Sequence, residues 1–149
     1  MIRQSREAEL HWQVQRAACL PALAHIFPPE LYPFPDGEVL ARWRGFTGTV
    51  LAAERDGAVV GIAGVENCWL HGFYVRPDWW GTGVADELHT AALEVMLDCP
   101  ELKLWVLEEN RRARRFYEKR GWRQNGETRV VPYPPSPLDV GYSYVREEP

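Results

Sequence analysis

The chain has no apolar run long enough to cross a bilayer, and no apolar segment follows Arg3 and Arg6 in its opening MIRQSREAEL. The first absence excludes a transmembrane helix and the second the layout of a secretory signal, so a soluble, cytoplasmic protein without a membrane partner is expected. Cysteine is scarce. Cys19, Cys68 and Cys99 are odd in number, far apart and in no C-x-x-C pattern. That suggests neither a disulfide framework nor a zinc site; they read as reduced small hydrophobes, and no metal is expected. A basic excess is missing too: 17 Lys and Arg stand against 21 Asp and Glu, a formal net charge of -4. Broad attraction to nucleic acid needs a basic face, so no nucleic-acid partner is expected. No period of about 20 to 50 residues repeats, which removes repeat architectures.

What is present fits one compact domain. A length of 149 residues with 46% hydrophobic and 26% charged side chains is enough for a single core. The order of patterns is α/β. Ile2 and Arg3 begin a short strand, and Leu10, Val14, Ala17 and Ala18 recur at helical spacing until Pro21. The stretch FPPELYPFPDG (27–37) holds four prolines and reads as an irregular loop, followed by a short helix over 37–44. TVLAAE (49–54) and AVVGIAGV (58–65) flank Arg55-Asp56-Gly57, a hairpin signal. WLHGFYV (69–75) is a third strand ended by Pro77; Val84, Leu88, Ala91, Ala92 and Val95 then mark one face of a helix. ELKLWVL (101–107), apolar on both faces, reads as an interior strand that completes a β-α-β crossover. A helix from Asn110 stops at Gly121, and two strands, 123–131 and 139–146, join through VPYPPSPLD (131–139) and close the sheet.

Between strand and helix lies VRPDWWGTGVA (75–85), with Gly81 and Gly83 at the turn. Glycine reaches positive φ and lets a ligand lie against backbone N–H groups, which together with a helix N-terminus suit a pyrophosphate. An ordinary tight turn explains Gly-x-Gly equally well. Two nucleotide readings fail: the dinucleotide fingerprint needs a third glycine and the P-loop needs Gly-Lys-Ser/Thr, and both are missing here.

This segment resembles the acetyl-coenzyme A signature of the GNAT (Gcn5-related N-acetyltransferase) family, Val-x-Pro followed by Arg/Gln-x-x-Gly-x-Gly/Ala. Gly83 and Ala85 take its small positions, and Trp80 stands where the family has Arg or Gln. Downstream, NRRARRFYEKRGW (110–122) resembles the family's second coenzyme-binding segment, in the right order. The resemblance covers about 50 residues well and the rest by order of elements. It implies a single α/β (α+β) domain over residues 1–149, with a mixed, mostly antiparallel central sheet flanked by about four helices. It also implies acetyl-CoA as co-substrate and transfer to an amine of a small molecule or peptide; a homodimer is left open. The coenzyme would lie against Phe73, Tyr74 and Val75, then Trp80, Gly81, Thr82, Gly83, Val84, Ala85 and Asp86, and then Asn110, Ala113, Phe116 and Tyr117.

Each of these residues also has a plainer reading. Asn110 sits where a helix cap belongs, and the resemblance adds a pantetheine hydrogen bond. Ala113, Phe116 and Tyr117 share one helical face and would otherwise be core, but a buried Tyr hydroxyl needs a partner, and the family uses this tyrosine as general acid toward the leaving thiolate. Arg111, Arg112, Arg114, Arg115, Lys119 and Arg120 form a basic face that is either solvated or meets coenzyme phosphates. A base must lie close to the amine, and Trp69 occupies the place where the family often has Glu. Glu66 and His71 are the alternatives, against plainer roles at a strand end and beside the sheet. Trp69 also supports a second reading, a non-catalytic acyl-CoA sensor. Acceptor choice falls to the 27–37 loop, Trp43 and the 131–139 loop, or these only cover the sheet.

Overall fold

The computed structural model describes residues 1–146. Its elements run β1 (Ile2–Ser5), α1 (Ala8–Ala22), α2 (Asp36–Gly45), β2 (Thr49–Arg55), β3 (Ala58–Glu66) and β4 (Trp69–Val75). A 3₁₀ turn over Pro77–Trp79 leads to α3 (Val84–Val95), β5 (Glu101–Leu107), α4 (Arg111–Lys119), β6 (Arg123–Val130) and β7 (Leu138–Val145). Seven strands form one sheet in the order β1-β2-β3-β4-β5-β7-β6, antiparallel except for β4 beside β5. The mixed sheet with four helices is the architecture expected. α1 runs one residue past Pro21, because a missing N–H in the last turn removes only one bond of the helix.

The β2–β3 hairpin turns through Asp56 and Gly57, both at positive φ (52° and 78°), as an Asp-Gly turn requires. The β3–β4 turn repeats that geometry with Asn67 and Cys68, at 52° and 66°, which no Gly signal announced. β3 and β4 slip register between Gly64 and Val65, leaving His71 as the extra residue of a bulge. One consequence is a division of β4 between the two sheet faces. Leu70, Phe73 and Val75 pack with Leu51, Val84, Leu88 and Tyr117 beneath α3 and α4, while Tyr74 packs with Val14, Ile62 and Trp43 beneath α1 and α2.

Two expectations about packing are corrected. In α3 the buried residues are Val84, Leu88, His89 and Ala92, and Val95 is 47% exposed; the stripe ends before the last turn and takes in a histidine. β5 is not equally apolar on both sides. Leu102, Leu104 and Val106 are buried, while Lys103 and Trp105 are half-buried on the other face, with Trp105 stacked on Trp69 at 6.1 Å and beneath Arg129.

The cysteines require a third correction. Cys68 and Cys99, 31 residues apart, form a disulfide with Cα atoms 5.7 Å from each other. The β3–β4 turn and the α3–β5 connection bring them together where β4 and β5 begin, a proximity no sequence spacing encodes. Cys19 is free, and burial pushes its thiol up to about 12. Among the described residues, no helix is long and apolar enough to cross a membrane.

Candidate active site

The site is built on the way β4 and β5 separate. They share one register pair, Trp69 with Lys103, beside which the Lys103 N–H donates to the Cys68 carbonyl at 3.0 Å. Beyond that point β4 has no strand partner on this side. The Arg76 N–H donates to the Val60 carbonyl at 2.8 Å, so alternation along the antiparallel ladder gives Tyr74 the bonds to β3. The N–H and C=O groups of Phe73 and Val75 therefore point away from β3, into the gap. A strand edge with free backbone groups can take an extended ligand as an added strand.

The gap widens toward the C-terminal ends of the two parallel strands, where ligands of α/β sheets collect. After β4 the chain turns through Gly81 and Gly83 at φ 73° and 94°, and Gly83 is the residue from which α3 starts. A Cβ on either would meet nothing within 4 Å, so both glycines serve a backbone conformation on an open surface and crowd no protein atom. Thr82 is exposed, its hydroxyl donating to the Trp79 carbonyl. Val84 is fully buried, so only its backbone faces the turn; Ala85 is half-buried, and exposed Asp86 pairs with Arg120. Trp80 lies across the end of β4, its indole N–H donating to the Val75 carbonyl at 2.7 Å.

After β5 the chain enters α4. Asn110 caps it, its side-chain oxygen accepting from the Ala113 N–H at 3.3 Å, which leaves the amide NH₂ free of the cap. Phe116 packs on Phe73 at 5.4 Å, and Tyr117 meets Phe73 at 6.3 Å and Trp122 at 5.9 Å. Tyr117 is 7% exposed, and burial holds its hydroxyl pKa well above the ordinary tyrosine value. Its hydroxyl makes no hydrogen bond to another described residue. Yet the only described side-chain atom sealed from solvent without a partner is His11 Nδ1, so the Tyr117 hydroxyl keeps access to the space beside it.

These placements bring Phe73, Val75, Gly81, Gly83, Asn110, Ala113, Phe116 and Tyr117 around one groove. Glu66 and His71 are elsewhere. They lie near the closed end of the gap on the α1–α2 face, where the Glu66 carboxylate accepts from the Thr47 hydroxyl at 2.8 Å. His71 is exposed, 5.7 Å from the Phe46 ring, with Nε2 3.3 Å from the Glu66 carbonyl. Tyr74 also faces that side, and burial raises its phenol pKa, with smaller contributions from Cys19, Tyr117 and Asp139. Sequence reasoning missed His89, buried between Phe73, Phe116 and Trp122; only its place one residue after Leu88 on α3 hinted at burial.

The acetyltransferase (GNAT) family model matches residues 17–122. The chain belongs to the GNAT family. It is 33% identical over 121 residues to an uncharacterized N-acetyltransferase of Mycobacterium tuberculosis, covering 73% of this chain and 76% of that one. Its fold is shared by a GCN5-related N-acetyltransferase from Rhodopseudomonas palustris, with a TM-score of 0.79 at 18% identity over 98% of this chain and 95% of the other. It is shared also by the PaiA N-acetyltransferase of Thermoplasma acidophilum in complex with coenzyme A, with a TM-score of 0.67 at 18% identity over 98% and 99%. As a GNAT protein the chain is an acyltransferase, and the groove between β4 and α4 is where its backbone has free hydrogen-bonding groups.

Proposed function

We propose that this GNAT enzyme transfers an acetyl group from acetyl-CoA to a primary amine of a small molecule or peptide, by direct attack, with Tyr117 as general acid. The observation that carries the reading is the Tyr117 hydroxyl: buried, raised in pKa, unpartnered among the described residues and set over the unpaired stretch of β4. A group meant to give up a proton must hold it in the resting state, as a tyrosine does at neutral pH, and burial strengthens that hold.

Acetyl-CoA supplies the acyl group as a thioester. The residues present fit it: the free N–H and C=O of Phe73 and Val75 suit the pantetheine amides, and the Asn110 NH₂ can add to them. The positive-φ turn through Gly81 and Gly83, with the backbone N–H groups that open α3, suits the pyrophosphate. As the C–N bond forms and the C–S bond breaks, Tyr117 gives its proton to the sulfur and recovers one from solvent. The amine proton leaves through water toward Glu66 or His71, which stand on the sheet face opposite the coenzyme groove. The acceptor would approach from that face, along the 27–37 loop, Trp43 and the 131–139 loop.

The test is release of free thiol from acetyl-CoA in the presence of a broad amine panel. Turnover with at least one amine is expected; tight acetyl-CoA binding with no thiol release across the panel overturns the reading.

A further inference from the structure

The five cations of α4 and Arg120, which caps its C-terminus, differ in what surrounds them. Arg111 faces Glu109 at 3.5 Å. Arg114 donates to the Tyr142 hydroxyl and to the Glu108 carbonyl, each at 2.9 Å. Arg120 pairs with Asp86 and lies over the Phe116 ring at 3.5 Å. Arg115 and Lys119 border a groove on the opposite side of α4, together with Glu118 and Arg123.

Arg112 stands apart. Its guanidinium carbon lies 3.6 Å from the centre of the Trp80 ring, and it has no carboxylate partner among the described residues. Desolvation against its surroundings lowers its pKa, though a guanidinium stays charged throughout the accessible range. Stacking on an indole orients a guanidinium without neutralising it and leaves its in-plane N–H donors unused. Trp80 stands one residue before Gly81, and its indole is itself fixed by a bond to the Val75 carbonyl. An unneutralised, oriented, planar cation is thus held where the positive-φ turn begins.

We propose that Arg112, positioned on the face of Trp80, is a ligand of the pyrophosphate of acetyl-CoA and reaches it from α4 at the Gly81–Gly83 turn. This rests on the coenzyme reading above and adds to it a charged ligand outside the glycine turn, carried by another element. Trp80 is then a positioning residue that sets where the guanidinium points. The plainer role, docking of α4 onto the turn by the stacked pair alone, makes different predictions.

The experiment is calorimetric titration of the full chain with coenzyme A, dephospho-coenzyme A and pantetheine, folding being checked by circular dichroism. Arg112→Gln should weaken coenzyme A and dephospho-coenzyme A alike by about 10–100-fold, the usual worth of a charge-assisted hydrogen bond, and leave pantetheine unchanged. The affinity of the wild type should also fall more steeply with salt than that of the variant. Trp80→Arg in the Arg112→Gln background, which returns a cation to the turn, should recover most of the loss, and Arg112→Lys should fall between wild type and Gln. Unchanged affinity for coenzyme A in folded Arg112→Gln or Arg112→Lys overturns the proposal. So does a loss confined to coenzyme A, which would move the contact to the 3′-phosphate, or an equal loss for pantetheine, which would mark a packing role. Failure of the wild type to bind coenzyme A at all removes the coenzyme reading itself, and is told apart because no variant is needed to see it.

Discussion

The indole N–H of Trp122 donates to His89 Nε2 across 2.9 Å, joining the residue after Gly121 to the middle of α3. The bond requires Nε2 to be an acceptor, so His89 is neutral in the fold with its proton on Nδ1. Burial, helped by Arg120 and opposed by Asp86, lowers its pKa from 6.5 to about 4. Because the folded-state pKa lies below the unfolded one, the unfolded chain binds the extra proton first as pH falls. Stability from this residue is complete above about pH 6.5 and is lost as pH drops toward 4, by roughly 2 kcal/mol after allowance for solvent screening. Urea midpoints measured between pH 7.5 and 4.5 should fall less steeply in His89→Gln, whose amide oxygen can still accept from Trp122. Equal slopes would show that His89 does not titrate in this window.

Tyr117→Phe removes the hydroxyl and keeps the ring against Phe73 and Trp122. The turnover rate should fall by about 10²–10⁴-fold, nearer the lower bound because a thiolate leaves readily, and acetyl-CoA affinity should change little. The loss should be largest with poorly reactive amines. Unchanged turnover in a folded variant, with chemistry shown to limit the rate, would make Tyr117 a core residue.

Gly83→Val places a β-branched residue at φ 94° at the point where α3 starts. The backbone strain should cost about 1–2 kcal/mol of stability, since no protein atom obstructs the new Cβ. The new side chain would occupy the ligand's side of the turn, so coenzyme A binding should vanish while the domain stays folded. Calorimetry showing retained affinity would remove the glycine turn from the site.

Replacing Cys68 by Ser, or reducing the wild type, opens a link across 31 residues at the closed end of the β4–β5 gap. The expected cost is about 2–4 kcal/mol, read as a lower urea midpoint. Coenzyme A affinity should drop as well, because the Lys103 N–H to Cys68 carbonyl bond beside the link sets where the strands part. Identical urea midpoints with and without reductant would show that the link contributes nothing.

The sequence by itself determined the order of the elements, the Asp56–Gly57 hairpin, the glycine turn before α3 and the cap at Asn110. Each is a local matter: a φ preference, a period of hydrophobicity, or a side chain meeting the backbone a few residues on. Two linear motifs, 75–85 and 110–122, carried the family, and the match over residues 17–122 bears that out. What only the tertiary structure decided were relations between distant segments. The 68–99 disulfide depends on two connections starting at the same sheet edge, and the burial of His89 depends on Trp122 arriving above it. Trp80 read locally as a departure from the motif, whereas in space it bonds the Val75 carbonyl and carries Arg112 on its ring. Glu66 and His71 were near enough in sequence to serve the site, yet the alternation at the end of β3 and the bulge at His71 in β4 set them beside Thr47 and Phe46, on the opposite sheet face from Tyr117. Strand register and the packing of α4 on β4 are fixed by the collapse of the whole core, and no single segment contains that information.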